Sequence, residues 1–109
     1  MFPNRKPTIF EMSVYDFVGN VPVGKVTTYG HVAKCLGRGT ARSVGTALSK
    51  NPFAPEVPCH RVVRADGSLG GFNGHTEGPE MDRKRSMLLE EKVVFRPDGR
   101  VAPECITTL

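Results

Sequence analysis

The residues with the clearest chemical potential in this sequence are adjacent, in the tetrapeptide Pro58-Cys59-His60-Arg61. A cysteine reacts as its thiolate, and a neighbouring base or cation stabilises that form. In an extended chain, however, successive side chains point to opposite faces, so Cys59 and His60 meet only through a bridging water or a bend after Pro58. A buried structural cysteine beside a core histidine fits the tetrapeptide as well, and both interpretations stay open on these residues alone.

A zinc site is the other chemistry that the cysteines allow. Cys59 and His60 would need Cys35 or Cys105 as a further ligand, and the sequence has no ligand pair at the short spacing typical of zinc sites. The absence of CxxC spacing among three cysteines also argues against a disulfide framework. We therefore expect no metal, and a reducing compartment, nuclear or cytoplasmic.

Length and composition restrict the class of protein. The chain has 109 residues, of which 39% are hydrophobic, and this predicts one domain spanning residues 1–109. No apolar stretch approaches the roughly 18 residues of a membrane span. The N-terminus lacks the apolar segment of a secretory signal. A membrane protein is excluded on this basis.

The basic residues are concentrated in the middle of the chain. The net charge is +4, and residues 17–55 contain no acidic residue. This pattern favours a polyanionic partner such as nucleic acid, although basic residues can also merely solvate one face. The basic residues of this stretch are Lys25, Lys34, Arg38, Arg42 and Lys50.

Four helices are predicted from the spacing of apolar residues. The first runs from about Thr8 to Gly19 and the last from about Glu80 to Glu91, carried by Met81, Met87, Leu88 and Leu89. Between them, Thr28 and Thr40 are candidate N-caps for two short helices separated by Gly37-Arg38-Gly39. These two helices form either a helix-turn-helix or an ordinary helical hairpin.

Most of the second half of the chain lacks helical spacing of apolar residues and is instead rich in proline and glycine. Residues 56–63 are predicted to be extended, and because they contain Pro58 they form an edge strand or an ordered loop. Residues 69–74 are rich in glycine, which allows backbone to approach a ligand closely. Residues 93–101 contain a Pro-Asp-Gly turn signal and predict a small hairpin.

Taken in order, these features resemble the active-site domain of the O6-alkylguanine-DNA alkyltransferases. The matching segments are VPVGKVTTYGHVA, ARSVGTALSKNP, VPCHRVVRADGSLGGFNG and KRSMLLEE, which are collinear and cover nearly the whole chain. The resemblance implies a mainly α fold: a winged-helix-like helix-turn-helix domain with a small β-hairpin and an extended active-site loop. The family's usual N-terminal domain has no counterpart here, so we expect a standalone active-site domain.

The resemblance also implies roles for individual residues. Cys59 is similar to the alkyl acceptor, and His60 to the base that acts through a water, with Glu91 rather than Glu90 orienting it. Tyr29 matches the tyrosine that contacts the flipped guanine and assists its protonation. Asn51 matches the residue that braces the cysteine loop against the helix-turn-helix. The substrate-binding set implied in this way is Tyr29, Cys59, Val62, Phe72 and Asn73.

The same resemblance implies how DNA would be held. Arg42 matches an arginine finger that fills the gap left by the flipped nucleotide, and the recognition helix enters the minor groove. The small residues Ala41 and Ser43 let the helix lie close to the groove floor. Phosphate contacts are expected from Lys25, Lys34, Arg38 and Lys50.

The implied function is DNA repair by a single, irreversible alkyl transfer from O6-alkylguanine to Cys59. Because a thioether has no easy leaving group, each molecule would react once, as a monomer on duplex DNA and without a cofactor. The main alternative is an alkyltransferase-like lesion sensor, which binds the damage without chemistry and recruits excision repair; such proteins typically carry Trp at the position of Cys59. A helix-turn-helix regulator would leave the PCHRV segment unexplained.

Overall fold

Four helices and one very small sheet make up the fold. The computed structural model describes residues 6–53, 56–70 and 78–107. Strands β1 (Thr27–Thr28) and β2 (Val62–Val63) pair in parallel, with Thr27 opposite Val62 and Thr28 opposite Val63. The mainly α prediction is therefore confirmed. The helices are α1 (Ile9–Val18), α2 (Tyr29–Leu36), α3 (Ala41–Ser49) and α4 (Pro79–Glu90), and 3-10 turns cover Cys59–Arg61 and Pro103–Cys105.

Threonine side chains fix the starts of the first three helices, and the caps at Thr28 and Thr40 are the ones that the sequence predicts. The hydroxyl of Thr8 accepts from the Glu11 N–H, and the Glu11 carboxylate accepts from the Thr8 N–H in return. Thr28 accepts from the N–H of His31 at the start of α2. Thr40 accepts from the N–H of Ser43 at the start of α3. Each hydroxyl satisfies one of the donors that a helix leaves unpaired at its N-terminus.

The short connection between α2 and α3 gives the helix-turn-helix arrangement. Gly37 ends α2 in the left-handed region, at φ 70°. Gly39 also has a positive φ, and a Cβ there would lie 2.6 Å from the Phe10 ring, so the turn packs tightly against α1. Tyr15 of α1 donates its hydroxyl to the carbonyl of Ala47 at 2.7 Å, which fixes α3 from the same side.

Two apolar clusters lie on either side of the segment that follows Pro58. One cluster joins α1, α2 and α3 through residues such as Val14, Val32 and Val44. The other joins β2, α4 and the C-terminal segment through residues such as Leu88 and Val101. Cys59 and Val62 belong to the first cluster and Val63 to the second, so this segment runs along the border between them.

The C-terminal segment also reaches the sheet. The N–H of Val26 donates to the carbonyl of Cys105 at 2.9 Å, and the carbonyl of Val26 accepts from the N–H of Thr107 at 2.7 Å. This makes a parallel bridge between Val26 and Ile106 beside β1. Residues from the beginning, the middle and the end of the chain thus meet around one pair of short strands.

Three local expectations need correction. Residues 59–61 are not extended: the N–H of Arg61 donates to the carbonyl of Pro58 at 2.8 Å and closes a 3-10 turn. The expected hairpin is reduced to one antiparallel bridge, between Phe95 and Val101. Leu89, expected on the apolar side of α4, is exposed, because the buried side of that helix carries Leu88.

None of the helices in the described ranges is both long and apolar enough to span a membrane.

One buried polar atom offers a test of this packing. The Oγ1 of Thr27 is buried and has no hydrogen-bond partner within the described residues. Replacing an unpaired buried hydroxyl by a methyl group removes its desolvation penalty, so we expect Thr27→Val to raise the free energy of unfolding by about 1 kcal/mol. Urea unfolding measures this change.

The neighbouring strand residue supplies the matched control. Thr28 caps α2 with its hydroxyl, so we expect Thr28→Val to lower the free energy of unfolding by about 1 kcal/mol. A destabilised Thr27→Val variant would contradict the assignment of an unpaired hydroxyl.

Candidate active site

The 3-10 turn after Pro58 places Cys59 against the helix-turn-helix. Cys59 is 7% exposed and packs in the same cluster as Val44 and Leu48 of α3. Its N–H donates to the carbonyl of Val57 at 2.8 Å. The residue is largely covered but retains some exposure, next to the helix that the sequence predicts to face DNA.

Asn51, just beyond the end of α3, ties this turn to the helix pair. Its Nδ2 donates to the carbonyl of Val57 at 3.0 Å, and its Oδ1 accepts from the N–H of Phe53 at 2.9 Å. The Asn51 side chain also lowers the pKa of the Cys59 thiol. Asn51 thus joins the end of α3 to the segment that precedes Cys59.

Burial keeps the Cys59 thiol protonated at rest. Loss of solvent raises the pKa of Cys59 above its ordinary value, and this outweighs the hydrogen bond from Asn51 and the charge of Lys84, which both lower the pKa. A thiol with a raised pKa reacts only after a base has taken its proton. The site therefore needs a base close to Cys59.

His60 has the properties of that base. Its Nε2 lies 2.9 Å from Oε2 of Glu91. Burial lowers the pKa of His60, although the Glu91 carboxylate opposes this change, so the ring is neutral near pH 7. A carboxylate only accepts hydrogen bonds, so Nε2 carries the hydrogen and Nδ1 keeps a lone pair that can accept a proton.

Glu91 is held by Arg61 as well as by His60. The Arg61 Nε and Nη2 donate to the two Glu91 oxygens at 2.9 and 2.7 Å, and Nη1 donates to the carbonyl of Val21 at 2.9 Å. Burial alone would raise the pKa of Glu91, but the hydrogen bonds and charges of Arg61 and His60 lower it on balance. Glu90 belongs to the exposed face of α4, and the contact with His60 is made by Glu91.

Tyr29, at the start of α2, is held between two glycines. A Cβ at Gly45 of α3 would lie 3.8 Å from the Tyr29 ring, and one at Gly70 would lie 3.0 Å from it. Gly70 also has φ +73°, a conformation that side chains disfavour. The loop after β2 thus closes on Tyr29 because position 70 is a glycine.

Lys84 is a site residue that the sequence analysis missed. It is fully buried, and its Nζ donates to the carbonyls of Val62, at 2.8 Å, and of Leu69. Burial lowers the pKa of Lys84 to about 7. A signal was available, because Lys84, Leu88 and Glu91 recur at i, i+4 and i+7, the spacing of one helix face.

The start of α3 presents the residues expected to contact DNA. Ala41 and Arg42 are exposed, whereas Ser43 is half-buried and is used in the Thr40 cap. The other basic residues expected at phosphates are all exposed, but they do not form one row. Lys34, Arg38 and Lys50 belong to the helix pair, with Arg38 over the Phe10 ring, whereas Lys25 precedes β1 and donates to the carbonyl of Glu104 at 3.0 Å.

The remaining predicted residues are placed only in part. Val62 is fully buried in β2, and its carbonyl already accepts from Lys84. Phe72 and Asn73 lie outside the described residues. Within the ranges 6–53, 56–70 and 78–107, no three His, Cys, Asp or Glu side chains are grouped in a way that could hold a metal ion.

Comparison with known proteins agrees with the motifs. A family model described as "6-O-methylguanine DNA methyltransferase, DNA binding domain" matches residues 9–93. The methylated-DNA–protein-cysteine methyltransferase of Methanothermobacter thermautotrophicus is 46% identical over 67 residues, 62% of this chain and 38% of that protein. The protein of that name from Mycobacterium leprae is 41% identical over 86 residues, 78% of this chain and 49% of the relative. The chain thus spans about half or less of these curated relatives.

Solved structures with the same fold include two DNA complexes. Mycobacterium tuberculosis OGT in complex with DNA is 40% identical with a TM-score of 0.70, over 80% of this chain and 52% of that one. S. pombe Atl1 in complex with damaged DNA containing O6-carboxymethylguanine is 32% identical with a TM-score of 0.73, over 90% of this chain and 94% of that one.

The ion-paired carboxylate predicts a pH-dependent stability. We expect Glu91→Gln to lower the free energy of unfolding at pH 7 by about 2 kcal/mol, because the charge-assisted hydrogen bonds to His60 and Arg61 are weakened. The pKa of Glu91 in the folded protein lies below its ordinary 4.5. The contribution is therefore complete above that pH and is lost as the pH falls through the folded-state pKa. Urea unfolding should show the difference between wild type and variant shrinking below pH 4.5.

Glu90→Gln is the matched control for this measurement. Glu90 precedes Glu91 and is exposed, so we expect its replacement to change the free energy of unfolding by less than about 0.5 kcal/mol. Equal effects of the two substitutions would contradict a specific role for Glu91.

Proposed function

Because the chain belongs to the family of 6-O-methylguanine DNA methyltransferase DNA-binding domains, we propose that it repairs O6-alkylguanine in duplex DNA by moving the alkyl group onto its own Cys59. The observation that supports this most is the buried Cys59 thiol on a turn whose next residue, His60, is kept neutral by burial and is oriented by its hydrogen bond to Glu91. Because burial raises the pKa of the Cys59 thiol, the transfer requires a general base, and an oriented histidine follows Cys59 in the chain.

Binding begins with the helix pair on the duplex. In the proposal α3 enters the minor groove, with the small side chain of Ala41 against its floor. Lys34, Arg38 and Lys50 contact phosphates, so affinity falls steeply as salt rises. Since the O6 substituent is hidden in stacked DNA, the nucleotide turns out of the helix, at a cost of a few kcal/mol. Arg42, exposed in the first turn of α3, fills the space that the nucleotide leaves.

The transfer then proceeds as an in-line displacement. His60 takes the thiol proton, and the Cys59 sulfur attacks the alkyl carbon as the carbon–O6 bond breaks. The electron pair of that bond remains on the guanine, which takes a proton from the Tyr29 hydroxyl. The product is a thioether at Cys59, so the protein acts once and needs no cofactor.

A lesion sensor without chemistry is the second candidate. It is favoured by the structural similarity to S. pombe Atl1, which this chain matches over 94% of that protein's chain. The presence of Cys59 favours the alkyl transfer, because alkyltransferase-like sensors typically carry Trp at this position and therefore have no nucleophile there. The two candidates share lesion binding and differ only in whether the alkyl group moves.

Mass spectrometry separates them. After incubation with duplex DNA containing O6-methylguanine, we expect the intact protein to gain one methyl group, located on the peptide that contains Cys59. The exposed Cys35 is an internal control, because an unspecific methylating agent would modify it first. Cys59→Ser should bind the DNA and gain no mass. Binding by the wild type without a mass gain would support the sensor.

The role of Arg42 is tested by comparing two affinities. In the Cys59→Ser background, we expect Arg42→Ala to weaken binding to lesion DNA about tenfold more than binding to unmodified DNA, because it assists only the flipped state. Fluorescence anisotropy at fixed salt measures both.

Lys50→Ala serves as the control for Arg42. Lys50 lies at the other end of the same helix, and we expect its loss to weaken both affinities by the same factor. If Arg42→Ala did the same, Arg42 would be a phosphate contact and not the finger.

A further inference from the structure

The side chain of Lys84, in the middle of α4, interacts with both Tyr29 and Cys59. In the proposed transfer, Cys59 attacks the alkyl carbon and Tyr29 protonates the departing guanine. The side chain is fully buried, and its Nζ lies 3.5 Å from the Tyr29 hydroxyl oxygen. Its charge also acts on Cys59, whose pKa it lowers. A buried ammonium is costly compared with an apolar side chain of similar size, so its position between Cys59 and Tyr29 calls for a functional explanation.

The geometry directs the Tyr29 hydroxyl proton. An ammonium group has three N–H donors and no acceptor. The carbonyls of Val62 and Leu69 accept from Nζ, and the Tyr29 oxygen accepts from it in a long hydrogen bond. Because the Tyr29 oxygen accepts a hydrogen bond from Lys84 Nζ, the Tyr29 hydroxyl cannot donate its own proton to the Lys84 ammonium. Gly45 and Gly70 confine the ring, so the Tyr29 hydroxyl keeps this orientation toward Lys84 and has its proton available for another acceptor.

We propose that Lys84 is a positioning residue for the alkyl transfer: it orients the Tyr29 hydroxyl and returns the proton that Tyr29 gives to the departing guanine. The inference rests on the proposed function and extends it to a residue that neither the motifs nor the spacing assigned.

The protons and electrons balance without a further reactant. His60 takes the proton of the Cys59 thiol. The bond from the Cys59 sulfur to the alkyl carbon forms, and the carbon–O6 bond breaks with its electron pair on the guanine. The guanine takes the proton of the Tyr29 hydroxyl. The resulting phenolate takes a proton from the Lys84 ammonium, which is left as a neutral amine with two N–H donors for the two carbonyls.

The charges around Lys84 make this sequence of events favourable. Burial lowers its pKa to about 7, so ammonium and amine are both accessible near neutral pH. A charged Cys59 raises the pKa of Lys84, whereas Arg64 lowers it. Alkylation removes the charge on the sulfur, so Lys84 becomes a better proton donor as the transfer is completed. Among the described residues, the titratable groups whose interaction with Lys84 is resolved are Cys59 and His60 on the turn, Tyr29 on α2 and Arg64 after β2.

A double-mutant cycle tests the link between Lys84 and Tyr29. Single-turnover rates of methyl transfer are measured at saturating lesion DNA for wild type, Lys84→Met, Tyr29→Phe and the double variant. We expect Lys84→Met to slow transfer about tenfold when Tyr29 is present and less than about twofold in the Tyr29→Phe background. Equal slowing in both backgrounds would overturn the inference, because it would mean that Lys84 only supports the loop. Arg83→Met is the matched control, since Arg83 is exposed on the same helix.

The pH dependence keeps the inference testable if Lys84→Met does not fold. The ratio of the wild-type rate to the Tyr29→Phe rate should fall as the pH rises through about 7, because the neutral amine has no proton to return. The effects of Cys59 and His60 are common to both proteins and cancel in the ratio. A constant ratio would overturn the inference. A wild type that gains no methyl group would instead overturn the proposed function, and the inference with it.

Discussion

The carboxylate of Glu91 fixes the position of the turn that carries Cys59, and the geometry around the sulfur follows from this contact. One of its oxygens binds both His60 and Arg61, and the other binds Arg61 alone. Arg61 in turn binds the carbonyl of Val21. Three distant parts of the chain are joined in this way, and the His60 ring is held in the tautomer whose free lone pair can accept a proton.

Exclusion of water sets the protonation state of the neighbouring groups. Loss of solvent is the largest cause of the raised pKa of Cys59 and of the lowered pKa values of His60 and Lys84. Each change favours the uncharged form. Because a neutral thiol is a weak nucleophile, Cys59 has to lose its proton to a base before it can react.

The helices could be predicted from the sequence because their signals are local. Thr8, Thr28 and Thr40 are capping residues directly before apolar spacing, and all three start the helices expected of them. The 3-10 turn at Cys59 and the two-residue strands could not be predicted, because elements of two or three residues are too short to show a period. Their conformation is decided by contacts with distant segments, such as the pairing of Thr27 with Val62.

In the candidate site, too, residues with a local signal in the sequence could be predicted, and residues that depend on distant contacts could not. Cys59 and His60 were found because they are adjacent and chemically distinctive, and Glu91 was placed by the resemblance, not by the spacing. Lys84 was missed because a lysine in a helix rich in charged residues is normally a surface residue. Its buried Nζ donates hydrogen bonds to the backbone carbonyls of Val62 and Leu69, and the sequence pattern does not reveal these two acceptors.

The bridge between Val26 and Ile106 has a consequence for biosynthesis. Strand β1 pairs with β2, and Val26, just before β1, forms a bridge with Ile106. These hydrogen bonds join segments that are far apart in the sequence. Contacts between residues far apart in sequence form late and slowly. During translation the second apolar cluster, to which Val26 and Cys105 belong, therefore stays incomplete until residues near 106 have left the ribosome.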